Sequence, residues 1–378
     1  MKFSDYLVIN QETILLIIFG ISLLIQLIYY LFIYSRFIFR KIPEFNQNDQ
    51  PVTVIICARN EAENLEKNLP SVLSQEYPVY EVVVVNDCSS DNTDEILGKF
   101  LKKYSHLRTT GIVEDKKFTH GKKLAITVGI KAAKNEILIF TDADCQPVSN
   151  QWIKNIQRHF TGEKSIVLGY GGYFEKKSLL NNYIRYDTLV IAIQYFSYAL
   201  IGKPYMGVGR NLAYKKSFFF ANKGFGNHYH LLSGDDDLFV NENANKLNID
   251  IEFSSASHTR SEPETNPSDW IKQKRRHLTT AAYYKPSHKF MLGLEPLSRV
   301  FYYAAFTWLV VLGPYLPVIL SAFGFRLIIQ MLFTKKAMQR LKEKNLLLSS
   351  LFFDIFSLLI NFSLYISNRF GIKHKKWK

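Results

Sequence analysis

Cysteine is scarce in this chain, which has three in 378 residues: Cys57, Cys88 and Cys145. The number is odd, and the spacing of the three fits no metal-binding motif. A disulfide framework of the kind that small secreted domains use is therefore not indicated. We expect a reduced domain that faces the cytosol.

Acidic residues are fewer than basic ones, with 33 Asp and Glu against 47 Lys and Arg, so the formal net charge is +14. A charge of this sign is typical of proteins that bind nucleic acid or an anionic membrane surface. The sequence has no module of the RRM or zinc-finger type. Ten basic residues lie instead within 334–378, where they flank apolar runs. These features favour a membrane partner and no nucleic acid.

The first apolar run lacks the features of a cleaved signal peptide. The stretch 14–33 is long enough to cross a bilayer. The basic residues Arg36, Arg40 and Lys41 follow its apolar core. In a signal peptide the basic residues come before the apolar core. We therefore predict a transmembrane helix over 12–34, with the chain after it in the cytosol.

The C-terminal third contains further apolar stretches. The run 299–333 is too long for one span, and a Gly/Pro segment at 313–317 predicts a hairpin of two helices. A basic loop, 334–345, is expected to follow it. A last apolar stretch covers 346–367, and a basic tail covers 368–378.

The stretch 346–367 leaves the membrane topology open, because Asp354 and Asn361 make it less apolar. If it crosses the bilayer, the basic tail lies outside, against the positive-inside rule. If it lies in the interface, the tail stays inside. Its length slightly favours crossing.

Between these segments, 51–290 has the pattern of an α/β domain. Continuous apolar strands alternate with amphipathic helices, which is typical of a parallel sheet covered on both faces. We predict strands at 52–57, 81–85, 137–141, 166–173 and 249–254, and helices at 62–75, 94–104, 124–133, 179–200 and 267–278. Pro70 should kink or restart the first of these helices. The helix 179–200 could pack on the domain or lie on the membrane surface.

Two carboxylates close the strand that begins at Ile137. Asp142 and Asp144 follow four apolar residues, and Pro147 ends the segment. Residues two apart on an extended backbone project to the same side, and ligands of open α/β sheets bind at this end of the strands. Hard oxygen ligands suit Mg²⁺ or Mn²⁺ carrying a phosphate. A solvated Asp-rich turn is the alternative interpretation.

Two other polar segments are candidates for a site, and a third is predicted only as a loop. Gly121-Lys122 at a helix start could bind an anion, or could simply face solvent. An acidic cluster at 233–238 is expected at a helix N-terminus, where its acids could also serve only as caps. The segment 202–214 is predicted to be a loop loosened by glycines.

The order of these motifs is more specific than any one of them. Asp87 follows the second strand, Asp142 and Asp144 follow a later one, and Gly234-Asp235-Asp236 and Gln273-x-x-Arg276 come after. This order resembles the membrane-bound family 2 glycosyltransferases of GT-A fold, which include cellulose, chitin and hyaluronan synthases and ceramide glucosyltransferase. The resemblance covers 51–286. The segments 54–61 and 86–93 are similar to the first strand and the acidic turn of that family.

The resemblance implies how the sugar donor would be held. Asp87 would bind the base or ribose of a nucleotide-sugar, with Asn60 and Glu61 beside it. Asp142 would hold the nucleotide, and Asp144 a Mg²⁺ or Mn²⁺ ion that bridges the diphosphate. Lys122 would add a second positive charge near the diphosphate.

The resemblance also implies the catalytic step. Asp236 would act as general base on the acceptor hydroxyl, so the anomeric configuration would invert, and Asp235 is the next choice. Gln273, Arg276 and His277 would line the channel for the acceptor or the diphosphate.

Three positions depart from the family pattern. His277 stands where a tryptophan is expected and offers a smaller platform for an acceptor sugar. Asp235 to Asp237 are three consecutive acids, so the position of the base within them is open. Asn86 replaces an acid that usually precedes Asp87, which we regard as tolerable.

The sequence therefore predicts an inverting glycosyltransferase on the cytosolic face of the inner cell membrane. Its acceptor would be a lipid, a lipid-linked sugar or a growing saccharide. The alternatives are a processive exopolysaccharide synthase, a nucleotidyltransferase and a non-catalytic membrane protein. A nucleotidyltransferase would need a Gly-rich, Arg-containing loop after the first strand, and Ala58-Arg-Asn-Glu61 has no glycine.

Overall fold

The computed structural model describes 11–45, 49–113, 121–231, 233–313 and 315–370, with side chains up to 367. Its strands are β1 (Val52–Ala58), β2 (Tyr80–Asp87), β3 (Leu107–Ile112), β4 (Ile137–Asp142), β5 (Cys145–Pro147), β6 (Ile166–Leu168), β7 (Gly171–Tyr173), β8 (Leu212–Lys215), β9 (Ile249–Ile251) and β10 (Thr259–Ser261). Most of the predicted basic tail lies outside the described residues.

The helices begin with α1 (Gln11–Ile28), which runs through a π-helical segment (Tyr29–Tyr34) into α2 (Ser35–Ile38). The others are α3 (Ala62–Leu73), α4 (Thr93–Lys103), α5 (Lys122–Ala132), α6 (Trp152–Gln157), α7 (Leu179–Leu200), α8 (Lys216–Ala221), α9 (Asp237–Asn243), α10 (Pro267–Leu278), α11 (Pro286–Leu312), α12 (Leu316–Leu341) and α13 (Leu347–Phe370).

The main sheet has the strand order β3-β2-β1-β4-β8-β6-β9. The strands β2, β1 and β4 are parallel, as their apolar runs predict. β3, which the sequence did not mark as a strand, pairs parallel with β2. The expectation of a wholly parallel sheet is wrong in one strand, because β8 runs antiparallel to both β4 and β6. This strand begins inside the segment 202–214 that the glycines marked as a loop.

The predicted strand 166–173 is in fact two strands that belong to different sheets. β6 joins the main sheet, whereas β7 joins a three-stranded sheet of order β5-β10-β7. Gly169 lies at the crossing, where a Cβ atom would come within 2.4 Å of the Asn211 Cγ. Only glycine lets the two chain segments pass this closely. The predicted strand 249–254 is likewise shorter, ending at Ile251.

Two helices within the domain test the sequence predictions. α3 runs without a break past Pro70, so the expected restart is wrong; Leu65, Leu69 and Leu73 hold it in the core beside the sheet. α7 has the predicted bounds, and residues along its length are buried, including Leu189. It therefore packs on the domain rather than lying on a membrane surface.

The helix α12 extends eight residues into the predicted basic loop 334–345, because it ends at Leu341 and not at Phe333. Ala337 and Leu341 are fully buried, so packing continues along one face of the helix. Lys and Arg are good helix formers and do not mark a loop by themselves. The connection that remains is a short turn in which Lys342 and Asn345 have a positive φ.

Three helices of the described residues are long and apolar enough to cross a membrane: Gln11–Ile38, Leu316–Leu341 and Leu347–Ser367. α11, the first arm of the predicted hairpin, is not among them. It forms the expected hairpin with α12 through Gly313, which is left-handed. Phe19 of α1 stacks on Tyr302 of α11 with the ring centroids 4.9 Å apart.

Asp354 of α13, which made the last apolar stretch less apolar, is buried within an ionic cluster. Arg299 of α11 and Arg326 of α12 reach its two carboxylate oxygens at 2.8 and 2.9 Å. Tyr303 donates a hydrogen bond of 2.6 Å to it. Buried charges are tolerated when they are paired in this way, so Asp354 does not prevent α13 from crossing a membrane.

The turn between α12 and α13 is attached to the α/β domain through Glu343, whose side chain is fully buried. Its carboxylate pairs with Arg185 of α7 at 2.8 Å and with Arg260 of β10. It also accepts a hydrogen bond of 2.9 Å from the Tyr170 hydroxyl. The apolar helices and the domain are therefore joined by a buried ion-pair network.

Candidate active site

The carboxyl ends of β1, β2 and β4 bring the first predicted acids to one edge of the sheet. The pairing register sets Cys57 opposite Asp142 on one side, and Ala58 opposite Asn86 on the other. Asp87 is the next residue after Asn86 and is fully buried. Parallel strands end together, so acids distant in sequence meet here.

Lys122 connects the D-x-D motif to the acidic cluster. It begins α5, and its Nζ lies 2.8 Å from Asp142 Oδ1 and 3.2 Å from Asp235 Oδ2. Burial alone would raise the pKa of Asp142, but the charge and hydrogen bond of Lys122 outweigh it and lower that pKa. Burial would lower the pKa of Lys122, but the neighbouring acids raise it well above its usual value. The lysine therefore carries a charge.

Asp142, Asp144 and Cys145 offer ligand atoms that all lie within 4.8 Å of one another. Two carboxylates in this arrangement fit Mg²⁺ or Mn²⁺, which prefer oxygen ligands. Burial, and then the negative charge of Asp142, raise the pKa of Asp144. A divalent cation would offset this repulsion, so the residues present fit the predicted metal.

The three consecutive acids have different surroundings. Asp237 is buried, and its Oδ2 accepts hydrogen bonds from Thr280 and, at 2.7 Å, from Tyr284. Asp235 is buried against Lys122. Asp236 is half-buried and caps α9, where its Oδ2 accepts a 2.7 Å hydrogen bond from the Gly209 amide. Asp237 is thus occupied as a structural residue, which leaves Asp236 as the partly accessible acid.

Asp236 has the pKa expected of a general base. Burial, followed by the negative charges of Asp235 and Asp237, raises its pKa to about 7. Lys122 and the amide of Gly209 act in the opposite direction. A carboxylate with a pKa near neutrality can both accept and release a proton at physiological pH.

Asn60 and Glu61 lie next to the turn that contains Asp87. Asn60 has a positive φ of 56°, and its Oδ1 accepts a hydrogen bond of 2.8 Å from the Ser90 amide. Glu61 is half-buried and accepts a 2.6 Å bond from Asn64. Burial raises the pKa of Glu61, and the charges of Asp144 and Asp142 add to the effect. Asn60 therefore links the turn after β1 to the turn after β2. The charges of Asp142 and Asp144 reach Glu61 and affect its pKa.

The helix α10 places the basic motif at the same site. Gln273 and Arg276 are half-buried, and His277 is exposed. The positive charge of Arg276 contributes to the lowered pKa of Asp142. A buried residue, Trp270, anchors the start of the helix in the core. The predicted residues of α10 and of the D-x-D motif are thus near enough to interact electrostatically.

Arg210 belongs to the site but is not among the residues predicted from the sequence. Its carbonyl oxygen accepts a 3.1 Å hydrogen bond from Thr141, the residue before Asp142. Its positive charge contributes to lowering the pKa of both Asp142 and Asp144. The only signal in the sequence was the glycine-rich run around it, which was interpreted as loop flexibility.

Residues 53–221 match the model of the Glycosyl transferase family 2. The chain carries a glycosyl transferase family 2 domain. The resemblance drawn from the sequence is thereby confirmed. The matched residues of this family 2 domain include Asp87, Lys122, Asp142 and Asp144, whereas Asp236 and α10 lie beyond them.

Known proteins share parts of the family 2 domain. Glycosyltransferase AglE of Haloferax volcanii is 42% identical over 105 residues, which is 27% of this chain and 33% of AglE. Poly-beta-1,6-N-acetyl-D-glucosamine synthase of Staphylococcus epidermidis is 36% identical over 121 residues, 31% of this chain and 28% of the synthase. The chain thus spans about a third of the length of these relatives.

A solved structure shares the fold along most of the chain. It is the mannosyltransferase PcManGT from Pyrobaculum calidifontis in complex with GDP-Man and Mn²⁺. The two are 17% identical with a TM-score of 0.59, and the alignment covers 95% of this chain and 99% of PcManGT. The predicted GT-A type of α/β fold is confirmed.

Proposed function

We propose that the protein is an inverting glycosyltransferase that moves a sugar from a nucleotide-diphosphate donor to an acceptor hydroxyl. The observation that carries the proposal is the position of Lys122, whose Nζ contacts both Asp142 and Asp235. A single ammonium group thereby holds the donor side and the base side of the site within a few ångström of each other. The family 2 domain and the relatives support the same reaction class.

The donor would bind at the carboxyl edge of the sheet. Asp87, Asn60 and Glu61 would line the nucleoside end, and Asp142 and Lys122 the diphosphate end. A divalent Mg²⁺ or Mn²⁺ ion held by Asp144, with Asp142 beside it, would neutralise charge on the leaving diphosphate. The complex of PcManGT contains Mn²⁺ and GDP-Man, which supports both the metal and the donor class.

The transfer step would need one base. Asp236 would accept the proton of the acceptor hydroxyl while the oxygen attacks the anomeric carbon. The bond from that carbon to the diphosphate breaks, the nucleoside diphosphate leaves, and the configuration inverts. Gln273, Arg276 and His277 would line the channel by which the acceptor or the diphosphate reaches this point.

The membrane would bring a lipid-linked acceptor close to the site. We propose that the domain 51–290 lies on the cytosolic face of the inner membrane, with spans at Gln11–Ile38, Leu316–Leu341 and Leu347–Ser367. The apolar helices and their attachment through Glu343 support a fixed orientation toward the bilayer. A lipid or lipid-linked sugar is then the acceptor class that reaches the site most directly.

The test is a donor screen with the protein in nanodiscs. Nucleoside diphosphate release from UDP- and GDP-sugars would be measured with Mn²⁺, with Mg²⁺ and with a chelator. We expect metal-dependent turnover that falls by about 10²–10⁴-fold in Asp236→Asn, whereas the exposed Glu163→Gln should behave as wild type. Unchanged turnover in both Asp236→Asn and Asp144→Asn would disprove the mechanism.

A second candidate is a processive polysaccharide synthase, because the Staphylococcus relatives are named as synthases of poly-beta-1,6-N-acetyl-D-glucosamine. Processive and single transfer use the same chemistry but give different products. Mass analysis of the products formed on a membrane acceptor separates them. One or a few added sugars support single transfer, and a long polymer supports the synthase.

A further inference from the structure

Arg210 occupies a fixed place between the two halves of the site. The residue before it, Gly209, donates its amide to Asp236 Oδ2 at 2.7 Å. The carbonyl of Arg210 itself accepts hydrogen bonds from Thr141, at 3.1 Å, and from Thr259 of β10, at 2.9 Å. The backbone at this position is therefore held beside both the proposed base and the D-x-D motif.

The side chain of Arg210 is held by an aromatic platform. Its guanidinium carbon lies 4.3 Å from the centroid of the Tyr173 ring. Gly171 lies in β7, two residues before Tyr173. A Cβ atom on Gly171 would lie 2.9 Å from the Arg210 Cβ. The glycine thus leaves room for the arginine, and the ring makes a cation–π contact with its guanidinium.

Most hydrogen-bonding capacity of this guanidinium is unused. Within the part of the chain that the structure describes, its side-chain hydrogen bond is a long one, 3.4 Å, to the Ser261 hydroxyl, and it forms no ion pair. A guanidinium has five N–H donors in a fork that matches two oxygens of a phosphate. The side chain is half-buried and within electrostatic reach of Asp142 and Asp144.

We propose that Arg210, seated on Tyr173, binds a phosphate group of a substrate in this site. The inference rests on the proposed glycosyl transfer and adds a phosphate-binding residue to it. The phosphate belongs either to the diphosphate of the donor or to a phosphorylated lipid acceptor. Lysine at this position would keep the charge but lose the fork and the stacking on the ring.

The donor arm of the test measures binding of UDP and GDP with Mn²⁺ by calorimetry, and binding of uridine and guanosine by saturation-transfer NMR. We expect Arg210→Gln to bind the preferred diphosphate on the order of 10- to 100-fold more weakly, with the nucleoside unaffected. Arg210→Lys should be intermediate, and Arg108→Gln, on β3, should match wild type. Tyr173→Leu should weaken diphosphate binding, whereas Tyr173→Phe should not.

The acceptor arm uses nanodiscs that contain a polyprenyl phosphate or phosphatidylcholine alone, with retained lipid measured by native mass spectrometry. Loss of polyprenyl phosphate retention in Arg210→Gln, with diphosphate affinity intact, assigns Arg210 to the acceptor. Unchanged affinity for both phosphates overturns the inference, as does an equal loss for diphosphate and nucleoside. If wild type binds neither nucleotide, the proposed donor itself fails, which is a separate result.

Discussion

Replacing Lys122 with methionine should move the pH dependence of turnover toward higher pH. Asp236 must be deprotonated to act as a base, and its pKa is about 7 because burial and the charges of Asp235 and Asp237 raise it. Lys122 is the cation that opposes this rise. Turnover of the wild type should therefore be lost as the pH falls below about 7. Without Lys122, this acidic limb of the pH–rate profile should lie at higher pH.

The size of the shift follows from the geometry around Gly209. A Cβ atom built on Gly209 would lie 3.1 Å from Lys122 Nζ and 3.4 Å from Asp236 Oδ2. Because both atoms are this close to the same point, the ammonium of Lys122 and the carboxylate of Asp236 are less than about 7 Å apart. At an effective dielectric constant of about 20, unit charges at that distance interact by about 2.5 kcal/mol. Since Lys122 retains 21% side-chain exposure, we expect a shift of roughly one pH unit, and at most about two.

The assay is nucleoside diphosphate release at saturating Mn²⁺ between pH 5 and 9, with kcat/KM plotted against pH (a range of about two units on either side of the limb). Lys122→Arg keeps the charge and serves as the control, so its limb should coincide with that of wild type. An acidic limb that stays in place in Lys122→Met, in a protein of unchanged thermal stability, would refute the assignment of Asp236 as the titrating base.

Three other perturbations test separate parts of the molecule. Asp144→Asn should raise the Mn²⁺ concentration needed for half-maximal turnover by about tenfold or more, and chelation should abolish turnover reversibly; normal metal dependence would contradict the assignment. Asp354→Leu leaves two buried guanidinium groups without their shared carboxylate, so the free energy of unfolding in detergent should fall by about 3–5 kcal/mol, more than in Asp354→Asn. Glu343→Gln should cost about 3 kcal/mol in the same measurement, and a loss below about 0.5 kcal/mol would show that the buried network is not stabilising.

The parts of the fold that could be predicted are those with a continuous local signal. The strands β1, β2 and β4 are mostly apolar runs, and β2 and β4 end in an acid. The helix α7 has a long pattern bounded by Ser178 and a glycine turn. β8 could not be predicted, because its four residues carry no period and their pairing depends on strands distant in sequence. The end of α12 was missed for a related reason: the burial of Ala337 is a tertiary contact.

The same distinction applies to the site. The motif order predicted Asp87, Asp142, Asp144 and the acidic cluster, because each lies at the end of a strand or the start of a helix that the sequence itself marks. Which of the three acids stays partly accessible could not be predicted from their order, because contacts from residues some forty positions later occupy Asp237. The partners of Arg210 are equally remote.

The acidic cluster shows why such remote contacts matter for function. Asp237 is bound by Thr280 and Tyr284, which follow directly after the basic helix α10. The hydrogen bonds that occupy the Asp237 carboxylate therefore also fix the chain just after the helix that carries Gln273 and Arg276. The buried carboxylate of Asp237 therefore connects the proposed base, Asp236, with the proposed channel on α10. A loss of that carboxylate should disturb both the proposed base and the proposed channel, even though Asp237 is not itself the proposed base.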